Sequence, residues 1–133
     1  MNIIKPATVC PKPAYTYAAQ FIRSKDGDTV VLMVDQGFDN YINMTTRLYG
    51  INTPETHGVP KTSVEYIAGK AAEDFVNTWM EEAKRQVVVE SYDGKKLQTE
   101  KFGRWLSVIY RENDLVSLNE VLLAKGLAKP VNY

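Results

Sequence analysis

The chain has one cysteine, Cys10, and one histidine, His57. A lone thiol cannot close an intrachain disulfide, and no Cys/His set has the spacing of a zinc site. A Ser-His-Asp triad or a His-ligated metal would have to lean on His57, which sits beside Gly58 in a turn-rich stretch and reads as an exposed loop residue. Charge of one sign is also lacking, since 16 basic and 16 acidic residues give a formal net charge of zero. Domains that grip duplex nucleic acid by bulk electrostatics are usually basic, so that mode is not indicated. A phosphate site built from a few placed arginines stays open. Long apolar runs are missing too. Met1 to Tyr17 is broken by Lys5, Pro6, Pro11, Lys12 and Pro13, which leaves neither a signal-peptide core nor a membrane span. The expectation is a cytoplasmic protein if the sequence is complete, a secreted one if an export signal has been removed, and no membrane partner. Repeats, low-complexity tracts and internal linkers are absent.

What remains is an ordinary globular composition, 44% apolar and 24% charged over 133 residues, enough for one domain with a real core. Residues 1–14, rich in proline and without periodicity, read as a flexible lead-in, and residues 15–133 as the single domain. Tyr15 to Ser24 suits a strand, Lys25-Asp26-Gly27-Asp28 a hairpin turn, and Thr29 to Val34 a central apolar strand. After a loop at residues 35–40, Ile42 to Ile51 reads as a third strand. Ala68, Ala72, Phe75, Trp79 and Ala83 recur at helical spacing, with Thr62 and Glu65 as a candidate capping box. Gln86 to Tyr92 is a fourth strand, closed by a turn at Asp93 to Lys96, and Trp105 to Tyr110 a fifth. Ser117 with Glu120 caps a short helix, Leu118 to Lys125, which Gly126 ends. Five strands, with a helix between the third and fourth and another after the fifth, give a mainly β, α+β fold: a five-stranded Greek-key OB barrel.

Chemistry concentrates at element ends. Thr46 to Thr56 begins as a strand and breaks at Thr53-Pro54, because Pro54 lacks a backbone donor and holds Thr53 extended. Asp28 closes the hairpin, and Asn52 and Glu55 bracket the break. These oxygen donors suit a hard cation such as Ca²⁺ or Mg²⁺. The competing reading makes Asp28 a turn residue and the others solvated loop polars. Arg47 and Arg104 each adjoin apolar strand residues, where a guanidinium can hold phosphate through two parallel hydrogen bonds or form an ordinary ion pair across the barrel. Two arginines, a carboxylate and a hard cation make a set suited to phosphodiester hydrolysis.

At these residues the chain resembles the staphylococcal nuclease (thermonuclease) family, whose fold is an OB barrel with added helices. The matching pieces are Asp26-Gly27-Asp28-Thr29-Val30, Arg47-Leu48 through Thr53-Pro54-Glu55-Thr56, Phe102-Gly103-Arg104, and Asn119-Glu120 through Lys125-Gly126-Leu127-Ala128-Lys129. The resemblance implies a calcium-dependent endonuclease, with Mg²⁺ or Mn²⁺ as alternatives, acting on single- or double-stranded DNA and on RNA. It implies metal binding by Asp28, by Asn52 and by the backbone carbonyl of Thr53. Glu55 would be the general base through a water, and Arg47 and Arg104 would hold the phosphate. Lys101 and Phe102 would contact the nucleotide, as would Tyr133, the residue left of the family's base-stacking pair. Glu90 and Tyr110 match a structural polar network. Asn52 departs from the family's aspartate and removes one negative charge, and the tail is shorter than the family's last helix. The rival expectation is a non-catalytic OB-fold module that binds nucleic acid or protein.

Overall fold

A computed structural model describes residues 9–92 and 105–131. Among these residues, seven strands and two helices run in the order β1 (Thr16–Asp26), β2 (Thr29–Asp35), β3 (Tyr41–Leu48), β4 (Ile51–Asn52), α1 (Val64–Glu82), β5 (Gln86–Ser91), β6 (Trp105–Arg111), α2 (Leu118–Ala124) and β7 (Lys129–Pro130). The first three strands form an antiparallel meander, and β5 pairs antiparallel with both β1 and β6. Closure comes from a parallel pairing of β3 with β6, which gives a barrel in the order β1-β2-β3-β6-β5. A parallel pair needs a long crossover, and α1 with β5 supplies it. The expected five-stranded OB-type α+β barrel is therefore the observed one.

Local chemistry accounts for most of the elements. The apolar run of β2 is buried almost throughout, as a strand at the centre of a closed sheet should be. Register shifts in β1, between Phe21 and Arg23 and again between Ser24 and Asp26, mark irregularities of the kind that bend a strand around a small barrel. Leu32, Leu48, Ile51, Val76, Trp79, Met80, Ile109, Leu118 and Leu122 are fully or almost fully buried and join strands and helices in one core. No helix among the described residues is long and apolar enough to cross a membrane.

Three local expectations are corrected. The third strand does not run from Ile42 to Ile51. It ends at Leu48, and Gly50 takes a left-handed conformation (φ +82°) that redirects the chain. Ile51 and Asn52 then pair with Pro130 and Lys129, outside the barrel. The break thus precedes Pro54 by several residues. Helix α1 is capped by Ser63, not Thr62: its Oγ accepts the Tyr66 N–H at 3.1 Å and donates to the Pro60 carbonyl at 2.6 Å. The buried face of α1 is Gly69, Ala72, Val76, Trp79 and Met80. That face is rotated from the expected one, so Phe75 and Ala83 only edge the core.

The second helix begins as read. Ser117 Oγ accepts the Glu120 N–H at 3.1 Å, and Gly126 (φ +72°) follows the last turn. The turn expected at Asp93 to Lys96 and the first eight residues of the expected lead-in lie outside the described residues.

Candidate functional site

Asp28 is the hub. The β1–β2 hairpin turns in two residues, Gly27 and Asp28, and pairs Asp26 with Thr29. Asp26 Oδ1 accepts the Asp28 N–H at 3.1 Å, which directs the Asp28 side chain inward. Asp28 is 6% exposed. Its Oδ1 accepts the Thr29 hydroxyl and its Oδ2 accepts the Thr53 N–H, both at 3.1 Å. Arg47 Nη2 stands 3.5 Å from the same Oδ2 and 3.5 Å from the Ile51 carbonyl oxygen. Register explains the pairing: Arg47 lies opposite Thr29 across the β2–β3 ladder, and the Leu48 N–H donates to the Asp28 carbonyl at 2.8 Å.

Gly27 serves this arrangement through space. It lacks a positive φ, so the turn does not use its conformational freedom. A Cβ there would fall 2.8 Å from Thr53 Oγ1 and 2.9 Å from the Ala72 Cβ. The glycine lets the hairpin, the loop after β4 and α1 meet.

Around this hub a cleft of about 730 Å³ opens, lined by Asp26, Asp28, Arg47, Asn52, Thr53, Glu55, Glu65 and Lys129 among others. Every predicted metal or catalytic residue within the described part of the chain is on that wall. Asn52 and Glu55 are exposed, and the Glu55 N–H faces Glu65 Oε1 at 3.5 Å. His57 is an exposed loop residue, as expected, with Nε2 3.3 Å from the Lys25 carbonyl oxygen. Arg104, Lys101, Phe102 and Tyr133 lie outside the described residues.

The two aspartates of the hairpin have opposite electrostatics. Burial raises the Asp26 pKa to about 7, helped by the hydrogen bond and negative charge of Asp28 and by the charge of Glu55. Burial works against the Asp28 carboxylate too. The hydrogen bond from Asp26, the Arg47 guanidinium, the Thr53 N–H and the Thr29 hydroxyl outweigh it and lower the Asp28 pKa. Of the two, Asp28 is the one that holds negative charge more readily.

The donors facing the cleft are oxygens, from carboxylates and an amide, which fits a hard divalent cation and not zinc. Thr53 Oγ1 is buried and has no hydrogen-bond partner among the described residues, an orphaned oxygen beside those donors. Among the described residues no three His, Cys, Asp or Glu side chains already stand as a ligand cluster.

Sequence reasoning passed over three charged lining residues. Asp26 was read as part of a turn and of a family-like motif, Glu65 as part of a cap and Lys129 as the last residue of another such motif, none with a role at the site. Nothing in the local sequence marks them, since each reaches the cleft through tertiary placement. Asn119 was likewise given no role. It is 5% exposed, its Nδ2 donates to the carbonyls of Tyr49 at 2.9 Å and Ser107 at 3.1 Å, and its Oδ1 accepts the Ile109 N–H at 3.3 Å. It thereby ties α2 to the point where β3 gives way to β4. Burial, with the charges of Glu90 and Glu120, raises the Tyr110 pKa.

Comparison with known proteins agrees with this fold. A family model described as staphylococcal nuclease homologue matches residues 45–133. A protein of Methanocaldococcus jannaschii, described as uncharacterized, is 30% identical over 129 residues, covering 85% of this chain and 58% of its own length. The chain thus spans little more than half of that relative. With the match running from within β3 through α2 to the end of the sequence, the chain belongs to the staphylococcal nuclease homologue family.

Proposed function

We propose that this protein is a metal-dependent endonuclease that hydrolyses phosphodiester bonds of DNA, RNA or both, with calcium as the first candidate ion and Mg²⁺ or Mn²⁺ as alternatives. One observation carries the reading: Asp28, Arg47, Asn52, Thr53 and Glu55, drawn from β-strand ends up to 27 residues apart, line a single cleft. Asp28, Asn52 and the Thr53 carbonyl would hold the cation. When bound, such an ion polarises a phosphoryl oxygen and offsets charge in the transition state. Glu55, exposed at the wall, takes a proton from a water whose oxygen attacks phosphorus. Arg47 stabilises the charge that builds on the equatorial oxygens, and Arg104, by its place in the Phe102-Gly103-Arg104 motif, does the same beside the leaving oxygen.

A second reading is a non-catalytic OB-fold module that binds nucleic acid or protein. It is favoured by the lack of a ready ligand cluster among the described residues and by an amide at position 52. Hydrolysis of denatured DNA by the purified protein separates the two. The assay uses millimolar Ca²⁺, Mg²⁺ or Mn²⁺, or chelator, beside Glu55→Gln. The nuclease reading expects metal-dependent cleavage that falls about 10²- to 10⁴-fold in the variant, the usual range for removing a general base. A folded protein that cleaves with no ion leaves the binding module.

A further inference from the structure

The cleft holds two cationic side chains among its described lining residues, Arg47 and Lys129. They are not equivalent. Arg47 is half-buried and already engaged with Asp28 Oδ2 and the Ile51 carbonyl. Lys129 is exposed and makes no ion pair among the described residues. Its position is set by the small β4–β7 ladder, where it is the direct cross-strand partner of Asn52. Antiparallel partners lie about 4.5–5.5 Å apart at Cα, so the ladder plants an ammonium at the rim beside the predicted ligand. The ladder itself is held by the Val131 N–H donating to the Gly50 carbonyl at 2.9 Å, and by Ala128, which is buried in the core next to it.

The remaining charged groups among the described lining residues are Asp26, Asp28, Glu55 and Glu65, all acidic. A phosphate entering the cleft meets those carboxylates, and Arg47 is partly neutralised by one of them. Among the described lining residues, Lys129 is the positive charge without an ion-pair partner.

We infer that Lys129 is a phosphate-binding residue of this cleft, holding a phosphate that flanks the scissile one in a single-stranded polynucleotide. Arg47 on the floor takes the phosphate that is inserted, and Lys129 on the rim takes its neighbour along the strand. A lysine suits that role because a flexible stem with a compact charge follows a phosphate whose position varies between substrates. The inference rests on reading the cleft as a polynucleotide site.

The test is equilibrium binding of a fluorescein-labelled single-stranded oligonucleotide in chelator, where no metal-dependent cleavage occurs, over a series of salt concentrations. Wild type is compared with Lys129→Gln, Lys129→Arg and the control Lys84→Gln, an exposed lysine just past the far end of α1. Removing one phosphate contact should weaken binding at low salt and reduce the log–log salt slope by about 0.7. Lys129→Arg should keep the slope, and Lys84→Gln should match wild type. In the hydrolysis assay Lys129→Gln should raise KM more than it lowers kcat. An unchanged slope in Lys129→Gln, with cleavage intact in wild type, overturns the inference and leaves the nuclease reading standing. A Lys129-dependent slope in a protein that cleaves with no ion keeps Lys129 as a phosphate contact of a binding cleft and removes both the nuclease reading and the scissile phosphate beside it. Failure of wild type to bind at any salt overturns the inference and leaves the nuclease reading to the hydrolysis assay.

Discussion

Gly69 and Pro54 approach so closely that a Cβ on Gly69 would fall 2.6 Å from the Pro54 carbonyl oxygen and 3.2 Å from that of Glu55. The glycine lets α1 lie directly beneath the loop that carries Thr53 and Glu55. In an exposed helix Gly→Ala would stabilise by about 1 kcal/mol. Here the obstructing atom is backbone, so Gly69→Ala should instead destabilise by about 1–3 kcal/mol, the usual range for overpacking. It should also lower activity by displacing Glu55. Urea unfolding and a single-turnover assay check this, and a more stable, fully active variant would show that the loop has slack.

Asn119 satisfies three backbone groups at once. Asn119→Ala removes the donor to the Tyr49 and Ser107 carbonyls and the acceptor for the Ile109 N–H. Leaving buried backbone groups without these partners should cost about 2–4 kcal/mol, since each such loss typically costs 1–3. A loss below about 1 kcal/mol in chemical denaturation would mean that water enters and replaces the amide.

Asp26 should make stability fall with rising pH. In the unfolded chain it titrates near 3.8, and in the fold it keeps its proton up to about 7. Between those values the native state binds more protons, so this stabilising contribution is fully present below pH 3.8 and is lost as pH rises through 7. Asp28, with its pKa lowered, acts in the opposite sense: its contribution is present above the unfolded value and lost as pH falls. Asp26→Asn should therefore raise Tm relative to wild type at pH 8, by roughly 3–6 °C for each kcal/mol gained, and much less at pH 5. Thermal melts in chelator at both pH values test it, and an equal effect at both would remove Asp26 as the titrating group.

Asn52→Asp adds one carboxylate to the proposed ligand set. The calcium concentration for half-maximal activity should fall, because ligand charge strengthens calcium binding. The new charge also faces Lys129 across the β4–β7 ladder, where a pair of this kind contributes about 0.2–1 kcal/mol. Calcium titrations with activity and Tm as readouts follow both effects. An unchanged calcium requirement would exclude position 52 from the metal site.

Short-range chemistry determined much of this protein. The apolar run Thr29 to Val34, the helical spacing of Ala72 and Trp79, and the Ser117-to-Gly126 cap pair each announce an element, because strand pairing, amphipathic burial and capping depend on residues a few positions apart. The sequence also determined the residue types of the site, including the amide at position 52. Tertiary structure alone decided where they meet. The hydrogen bond from Thr53 to Asp28 spans 25 residues, and the Asn119 contact to Tyr49 spans 70. The placement of Lys129 opposite Asn52 follows from β4 pairing with β7, the close pass of Gly69 from α1 packing against the loop at Pro54 and Glu55, and the proton kept by Asp26 from its burial beside Asp28 and Glu55. Local propensity cannot encode such contacts, because each depends on burial and charge brought together by packing of segments distant in the chain.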